Sequence, residues 1–364
     1  MKILFDHQIF TRKKYGGISR YFYELHNNLN KISNLETKIS ILISNNYYLS
    51  FKKNSNYLDF SSVFNFPGKK KFLNFFNKKI SINNLIKQDF DIFHPTYYDT
   101  YFLEYLKKKP FVLTIYDMIH EKFTPENKIV NQKKILAEKA SKIITISETT
   151  KRDIIKYLGV DESKIKVIYL GNSIFPKSNI KLSIKLPEKY LLYVGHRDGY
   201  KNFDKFVKSI SDILIDDKKL FLVCVGGGKF NNKSKQFLSD LDILNKVIHF
   251  NVNDDNLFYF YKNAVAFFYP SLYEGFGMPI LESFACGCPL FCSNLSCFPE
   301  IAGKGAHYFN PNSEISIKSA VLKVLNNTDN FRESLLHHGY DQIKKFTWKN
   351  TAEQTKNIYQ SIKL

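Results

Sequence analysis

No stretch of the 364-residue sequence comes near 18 consecutive apolar residues, the length a membrane-crossing helix needs. The opening M-K-I-L-F-D-H-Q is interrupted by Asp6 and His7, so it reads as a first strand and not as a secretory leader. The chain is therefore expected to stay in the cytoplasm. Cysteine is scarce, five in all, and none stands in the C-x2-C pairs of structural zinc. Cys286, Cys288, Cys292 and Cys297 follow C-x-C-x3-C-x4-C and read as small buried hydrophobes. No short-period repeat is present, which excludes a solenoid. Gly226-Gly227-Gly228 follows an apolar run, but the third glycine of a G-x-G-x-x-G fingerprint would fall on Asn231. A nicotinamide-dependent enzyme is disfavoured.

Positive charge is what the chain has in excess, and it is unevenly spread. Residues 1–187 hold 32 Lys+Arg against 16 Asp+Glu, a balance of +16, whereas residues 188–364 hold 21 against 18, only +3. A basic half beside a near-neutral one points to an anionic surface, nucleic acid or the headgroups of an inner leaflet. The lysines are dispersed and no recognition motif accompanies them, so a specific nucleic-acid partner is not expected. Gly68–Lys79 (G-K-K-K-F-L-N-F-F-N-K-K) mixes five Lys with four Phe or Leu. It can lie on a membrane with its aromatics inserted, or it can be a solvated lysine-rich loop.

Hydrophobic content of 44% and charged content of 24% are those of a soluble globular protein, long enough for two domains. Apolar strand patterns alternate with helical ones, which predicts an α/β fold of parallel sheets. Strands are predicted at Lys2–Phe5, Thr37–Ile43, Ile92–His94, Phe111–Ile115, Lys142–Ile146 and Ile165–Ile168. A second series covers Tyr190–Val194, Phe221–Val225, Val247–Phe250, Ala264–Tyr269 and Leu290–Cys292. Helices are predicted at Ile18–Leu29 and Val130–Ala140, with Asn172–Glu188 as linker. This gives a first domain over 1–171, a second over 189–347 and a last helix from about Trp348. Two doubly wound sheets place a ligand at the carboxyl ends of their strands, facing across a cleft.

Residues 270–282 read P-S-L-Y-E-G-F-G-M-P-I-L-E. An apolar strand precedes the segment and a helix follows it, with Pro279 in the first turn, where its missing N–H costs little. Strand, glycine-bearing loop and helix N-terminus together suit a diphosphate. Glu274 then belongs to the loop and Glu282 to the helix.

This segment resembles the E-x7-E signature of the retaining glycosyltransferases of family four, which move a sugar from a nucleotide diphosphate. The resemblance implies the GT-B architecture of two Rossmann-like domains, with the last helix crossing back to the first. It assigns Glu274 to the donor sugar and Glu282 to the ribose, with Gly275, Phe276 and Gly277 lining the donor loop. The segment Leu191–Phe203 (L-L-Y-V-G-H-R-D-G-Y-K-N-F) matches the loop that supplies cations to the donor phosphates. Those roles fall to Arg197 and Lys201, beside Gly195. Fixed cations stabilise the charge that builds on a leaving phosphate. Tyr15-Gly16-Gly17 matches the loop between the first strand and helix, with Gly17 toward the donor and Gly16 toward the acceptor. Residues Asn251–Asn253 would line the base.

One departure stands out. Where many relatives carry His-Asp, this chain has Tyr116-Asp117, with His120 three residues on. Either Tyr116 or His120 must then replace the family's histidine. Asp117 and His120 join the catalytic candidates, and Tyr116 and His94 the acceptor side. For His94 and His120 a structural, hydrogen-bonded role stays open. Together with Asp91–Thr96 and G-Y-K-N-F, these residues look most like the O-antigen and capsule mannosyltransferase branch. The strings Asp89-Phe90-Asp91 and Asp240-Leu241-Asp242 are not placed to hold a metal on the donor, so none is expected.

The resemblance implies a retaining hexosyltransferase that uses a GDP- or UDP-hexose as substrate and has no separate cofactor. The acceptor would be a saccharide or a polyprenyl-linked one in surface polysaccharide synthesis. Peripheral attachment to the inner face of the cytoplasmic membrane fits the basic first half. The alternatives are a basic nucleic-acid binder and a catalytically silent nucleotide-sugar binder.

Overall fold

The structure is a computed structural model that describes residues 1–50, 58–59, 66–174, 185–252, 254–326 and 329–362. The chain forms two compact units, residues 1–171 with 347–364, and residues 172–346.

In the first unit, β1 (Lys2–Phe5), β2 (Glu36–Ile39) and β5 (Ile92–His94) form one parallel group, in the order β2-β1-β5. A second group holds β6 (Val112–Ile115), β7 (Lys142–Thr145) and β8 (Ile165–Val167), in that order. A parallel bridge between Phe93 and Phe111 joins the two groups. The residues of β6 are buried throughout, as strands covered on both faces require. The predicted strand Thr37–Ile43 is in fact broken. Ile41 donates its N–H back to Ile39 O at 2.9 Å, and the chain resumes as β3 (Ile43–Ser44) against β4 (Leu58–Asp59). Apolar content alone carried the prediction across that turn.

The last helix, Trp348–Gln360, belongs to this unit and packs on Gly17–Leu29. Thr347 caps it by accepting from Asn350 N at 3.2 Å. Trp348, Thr351, Ala352, Thr355 and Tyr359 form its buried stripe. Gly171 makes the docking fit, since a Cβ there would lie 2.3 Å from the Trp348 backbone nitrogen.

The second unit holds a parallel sheet of β9 (Lys189–Val194), β10 (Leu220–Val225), β11 (Val247–Phe250), β12 (Ala266–Tyr269), β13 (Leu290–Ser293) and β14 (Ala306–Phe309). The order is β11-β10-β9-β12-β13-β14, so the winding reverses between β9 and β12. That reversal parts the loops leaving β9 and β12, the place where ligands of such sheets bind. Leu191, Phe206, Ile210, Leu222, Phe268 and Phe291 belong to its core. Strand β14 was not anticipated. It is a short edge strand with His307 and Tyr308 half-buried, defined by pairing with β13 and not by its own pattern.

Candidate active site

At the reversal point the β12 chain leaves as Pro270–Gly277 and enters the helix Met278–Ala285. Gly277 caps that helix at φ +85°, a conformation that favours glycine, and no side chain caps the first N–H groups. The loop is pinned from behind. Ser296 Oγ accepts from Glu274 N at 3.2 Å and donates to Glu274 O at 2.8 Å. Leu272 N donates to Tyr200 O at 2.8 Å, tying the loop after β12 to the loop after β9.

With the two loops held together, Lys201 Nζ and Glu274 Oε1 form an ion pair at 2.6 Å, with 14% and 10% of their side chains exposed. The ammonium also lies 5.6 Å from the centre of the Tyr269 ring. Burial, then the Glu274 charge, pushes the Tyr269 hydroxyl well up, so it stays protonated. Glu282 is buried and accepts from Tyr261 OH at 3.0 Å. The pair of glutamates thus has separate surroundings, as loop and helix positions predict.

Arg197 is engaged differently. Its Nη1 donates to Gly226 O at 2.8 Å and Nη2 to Gly228 O, while the guanidinium lies 4.4 Å from the Phe230 ring centre. It clamps the loop after β9 onto the turn after β10. That contact needs glycine at 227, where a Cβ would come within 2.6 Å of Gly195 O. Gly195 itself sits at φ +125°. Phe276 turns inward, its ring 5.7 Å from that of Phe346, so its side chain serves packing. Asn253 lies outside the described residues. Ser271, which sequence reasoning passed over, is buried in this loop, and its hydroxyl has no partner among the described residues. No pattern in the sequence marks it.

In the first unit Gly16 and Gly17 are exposed at the start of the Gly17–Leu29 helix. His94 corrects the acceptor assignment. It is fully buried, with Nδ1 2.7 Å from Tyr359 OH and Nε2 2.8 Å from Thr114 Oγ1. Both ring nitrogens are used, and burial pushes its pKa down to about 3. It is a neutral structural histidine that fastens the last helix to β5 and β6. Tyr116 is buried too, with a hydroxyl that has no partner among the described residues. Asp117 accepts from Ile119 N at 3.1 Å through Oδ1, and His120 Nδ1 lies 3.3 Å from Thr124 Oγ1. Burial foremost, then the Lys133 charge, lowers the His120 pKa. Lys133 was also missed. It is fully buried, donates to Asp117 O at 2.8 Å and to Glu121 Oε2 at 3.0 Å, and lies 5.1 Å from the Tyr98 ring centre. Only a lysine on the apolar stripe of its helix hints at this. Asp89 and Asp91 both engage Lys2, by its Nζ at 2.6 Å and its N–H at 2.7 Å. All five cysteines are free and buried, with burial pushing the Cys224 and Cys288 thiols up to about 12.

Comparison with known proteins agrees with this geometry. Residues 15–172 match the family described as Glycosyltransferase Family 4, and residues 174–342 match Glycosyl transferases group 1. The chain belongs to the family-four glycosyltransferases. Among curated proteins it is 32% identical over 224 residues to the O-antigen chain mannosyltransferase RfbU of Salmonella typhimurium, covering 60% of this chain and 62% of that one. It is 28% identical over 251 residues to O-antigen chain mannosyltransferase B of Escherichia coli, covering 65% and 66%. The matched stretch thus spans just under two thirds of each relative. Among solved structures, Anabaena Alr3699/HepE in complex with UDP-glucose superposes with a TM-score of 0.74 at 16% identity, covering both chains fully at 100%. That likeness shows the GT-B fold.

Proposed function

We propose that this chain is a retaining hexosyltransferase that moves mannose from a nucleotide diphosphate to a saccharide or lipid-linked acceptor of a surface polysaccharide. The observation that carries the reading is the Lys201–Glu274 pair at the winding reversal of the second sheet, beside an uncapped helix N-terminus. An ammonium has three donors, and Glu274 takes one. The others suit diphosphate oxygens, while the far carboxylate oxygen suits a hydroxyl of the donor sugar. Glu282, behind the loop, suits the ribose.

As the glycosidic bond breaks, charge passes to the leaving phosphate. Lys201, the helix N-terminus and the clamped Arg197 are fixed in advance to stabilise it. Retention follows if the acceptor hydroxyl attacks from the face of the departing phosphate and gives that phosphate its proton. No metal is needed where cations already meet the charge. The names of the two O-antigen relatives support mannose and a polysaccharide acceptor.

The first unit supports a membrane-side placement on the cytoplasmic leaflet. In the helix Lys69–Lys87, Phe72 and Phe75 are 40% and 54% exposed among lysines, a surface suited to anionic headgroups.

The test is thermal stabilisation by GDP, UDP, GDP-mannose and UDP-glucose, with NAD as control. Selective stabilisation by one nucleotide and its sugar is expected. Glu274→Ala should keep the nucleotide shift yet lower transfer by at least ~100-fold. Near-normal turnover in that variant refutes the role of Glu274, and silence toward every nucleotide refutes the transferase reading.

A further inference from the structure

A cavity of about 290 Å³ opens in the first unit, apart from the residues discussed above, with Arg12, Lys70, Lys71, Lys128, Asn74 and Gln132 in its wall. That size lies at the small end of ligand pockets (~300–1,000 Å³). Its charge is one-sided, since four cations face a single carboxylate, Asp99. Asp99 is already committed in part, accepting from Tyr101 N at 3.1 Å. Among the described residues, Lys70, Lys71 and Lys128 form no ion pair.

Two helices begin at this cavity, Lys69–Lys87 and Lys128–Lys139, and both carry lysine in the first turn with no acidic residue there. Cations at the positive end of a helix dipole oppose the fold's own electrostatics. A bound anion removes that conflict. The Arg12 guanidinium lies over the Tyr97 ring, 4.5 Å from its centre. Tyr97 in turn packs on Tyr98 at 4.7 Å, the ring over which Lys133 lies. One aromatic pair thus separates the cavity from the Asp117–Lys133 cluster.

We propose that this cavity binds the diphosphate of a prenyl-linked saccharide acceptor. The diphosphate of such an acceptor is substituted at both ends and carries about one negative charge per phosphoryl group, roughly −2 in all, which the surplus of three cations offsets. The helix whose Lys70, Lys71 and Asn74 line the cavity also exposes Phe72, Phe75 and Phe76, which suit the attached hydrocarbon. The inference rests on the transferase reading, because it names the acceptor's class.

The test titrates the full chain calorimetrically with inorganic pyrophosphate, farnesyl diphosphate and phosphatidylglycerol vesicles. The variants are Arg12→Ala/Lys71→Ala, Lys70→Gln/Lys128→Gln and Lys201→Ala; the second double variant keeps the test valid if the first fails to fold. Both diphosphates should bind, farnesyl diphosphate the tighter, and at least ~10-fold more weakly to either double variant, with added salt weakening them further. Lys201→Ala should remove at most the donor loop's own share of pyrophosphate binding and leave farnesyl diphosphate binding in the cavity in place. Loss of farnesyl diphosphate binding in Lys201→Ala alone would assign it to the donor loop and overturn the proposal. So would no diphosphate binding, or double variants that lose vesicle binding while keeping their diphosphate affinities. Nucleotide stabilisation, measured in parallel, separates the two readings. Diphosphate binding without any nucleotide response keeps the pocket and removes the transferase reading, and the reverse result does the opposite.

Discussion

Removing Glu274 should do two separable things, one to stability and one to chemistry. Its carboxylate meets Lys201 at 2.6 Å with little of either side chain in water. Deleting one partner of a buried pair typically costs ~3–5 kcal/mol, because the other charge is left behind. Residual exposure lowers that here to about 2 kcal/mol for Glu274→Gln. In a unit the size of residues 172–346, each kcal/mol shifts Tm by about 2–4 °C, so its transition should fall by about 4–8 °C. Lys201→Met should also destabilise, since it strands Glu274. The double variant Glu274→Gln/Lys201→Met should recover at least ~1 kcal/mol relative to the sum of the two, because it strands neither charge. Calorimetric unfolding of the four proteins closes the cycle, with the second unit's transition identified by its nucleotide response. Transfer should stay ~100-fold down in the double variant although stability returns, since the groups proposed to meet sugar and phosphate are gone. Energies that add within ~0.3 kcal/mol would mean that the two side chains are independent, and the account of this site would fail.

Gly171→Ala should cost more than 3 kcal/mol, because its Cβ would overlap the Trp348 backbone, which cannot rotate away; limited proteolysis near the carboxyl terminus should accelerate, and unchanged resistance would count against this docking. Acid should destabilise the first unit through His94. Its folded pKa, about 3, lies below the ordinary 6.5, so between these values the unfolded chain binds a proton that the folded ring refuses. That stability is present in full above 6.5 and lost as pH falls, by about 1.4 kcal/mol per pH unit inside the window. His94→Gln should flatten this slope in denaturant titrations at several pH values while lowering stability at neutral pH, where Tyr359 and Thr114 lose an ideal partner. An unchanged slope would remove His94 as its source.

The alternation of apolar runs with helical patterns was enough to set the class of fold, because strands buried on both faces must be written as continuous apolar stretches. The strands β1, β5 and β11 fall where the sequence puts them. The edge strand β14 and the break after β2 did not show, since pairing partners and a local turn define them. The loop that leaves β12 was legible for a similar reason. Its glycines, Pro279 and two glutamates lie within one continuous segment, where local backbone demands leave a local signature.

Long-range packing decided the rest. Whether a histidine at a strand end meets a ligand or a hydroxyl depends on what covers it, and for His94 the cover is Tyr359, 265 positions away. Lys201 and Glu274 are 73 residues apart and meet because the sheet reverses its winding between β9 and β12. The cation-lined cavity draws on three helices that no pattern connects in the chain. By itself the sequence determined most of the strands, the glycine turns and the charge surplus, which are local or additive properties. Which charges become neighbours, and which polar groups lose water, was fixed only when the sheets closed and the last helix docked.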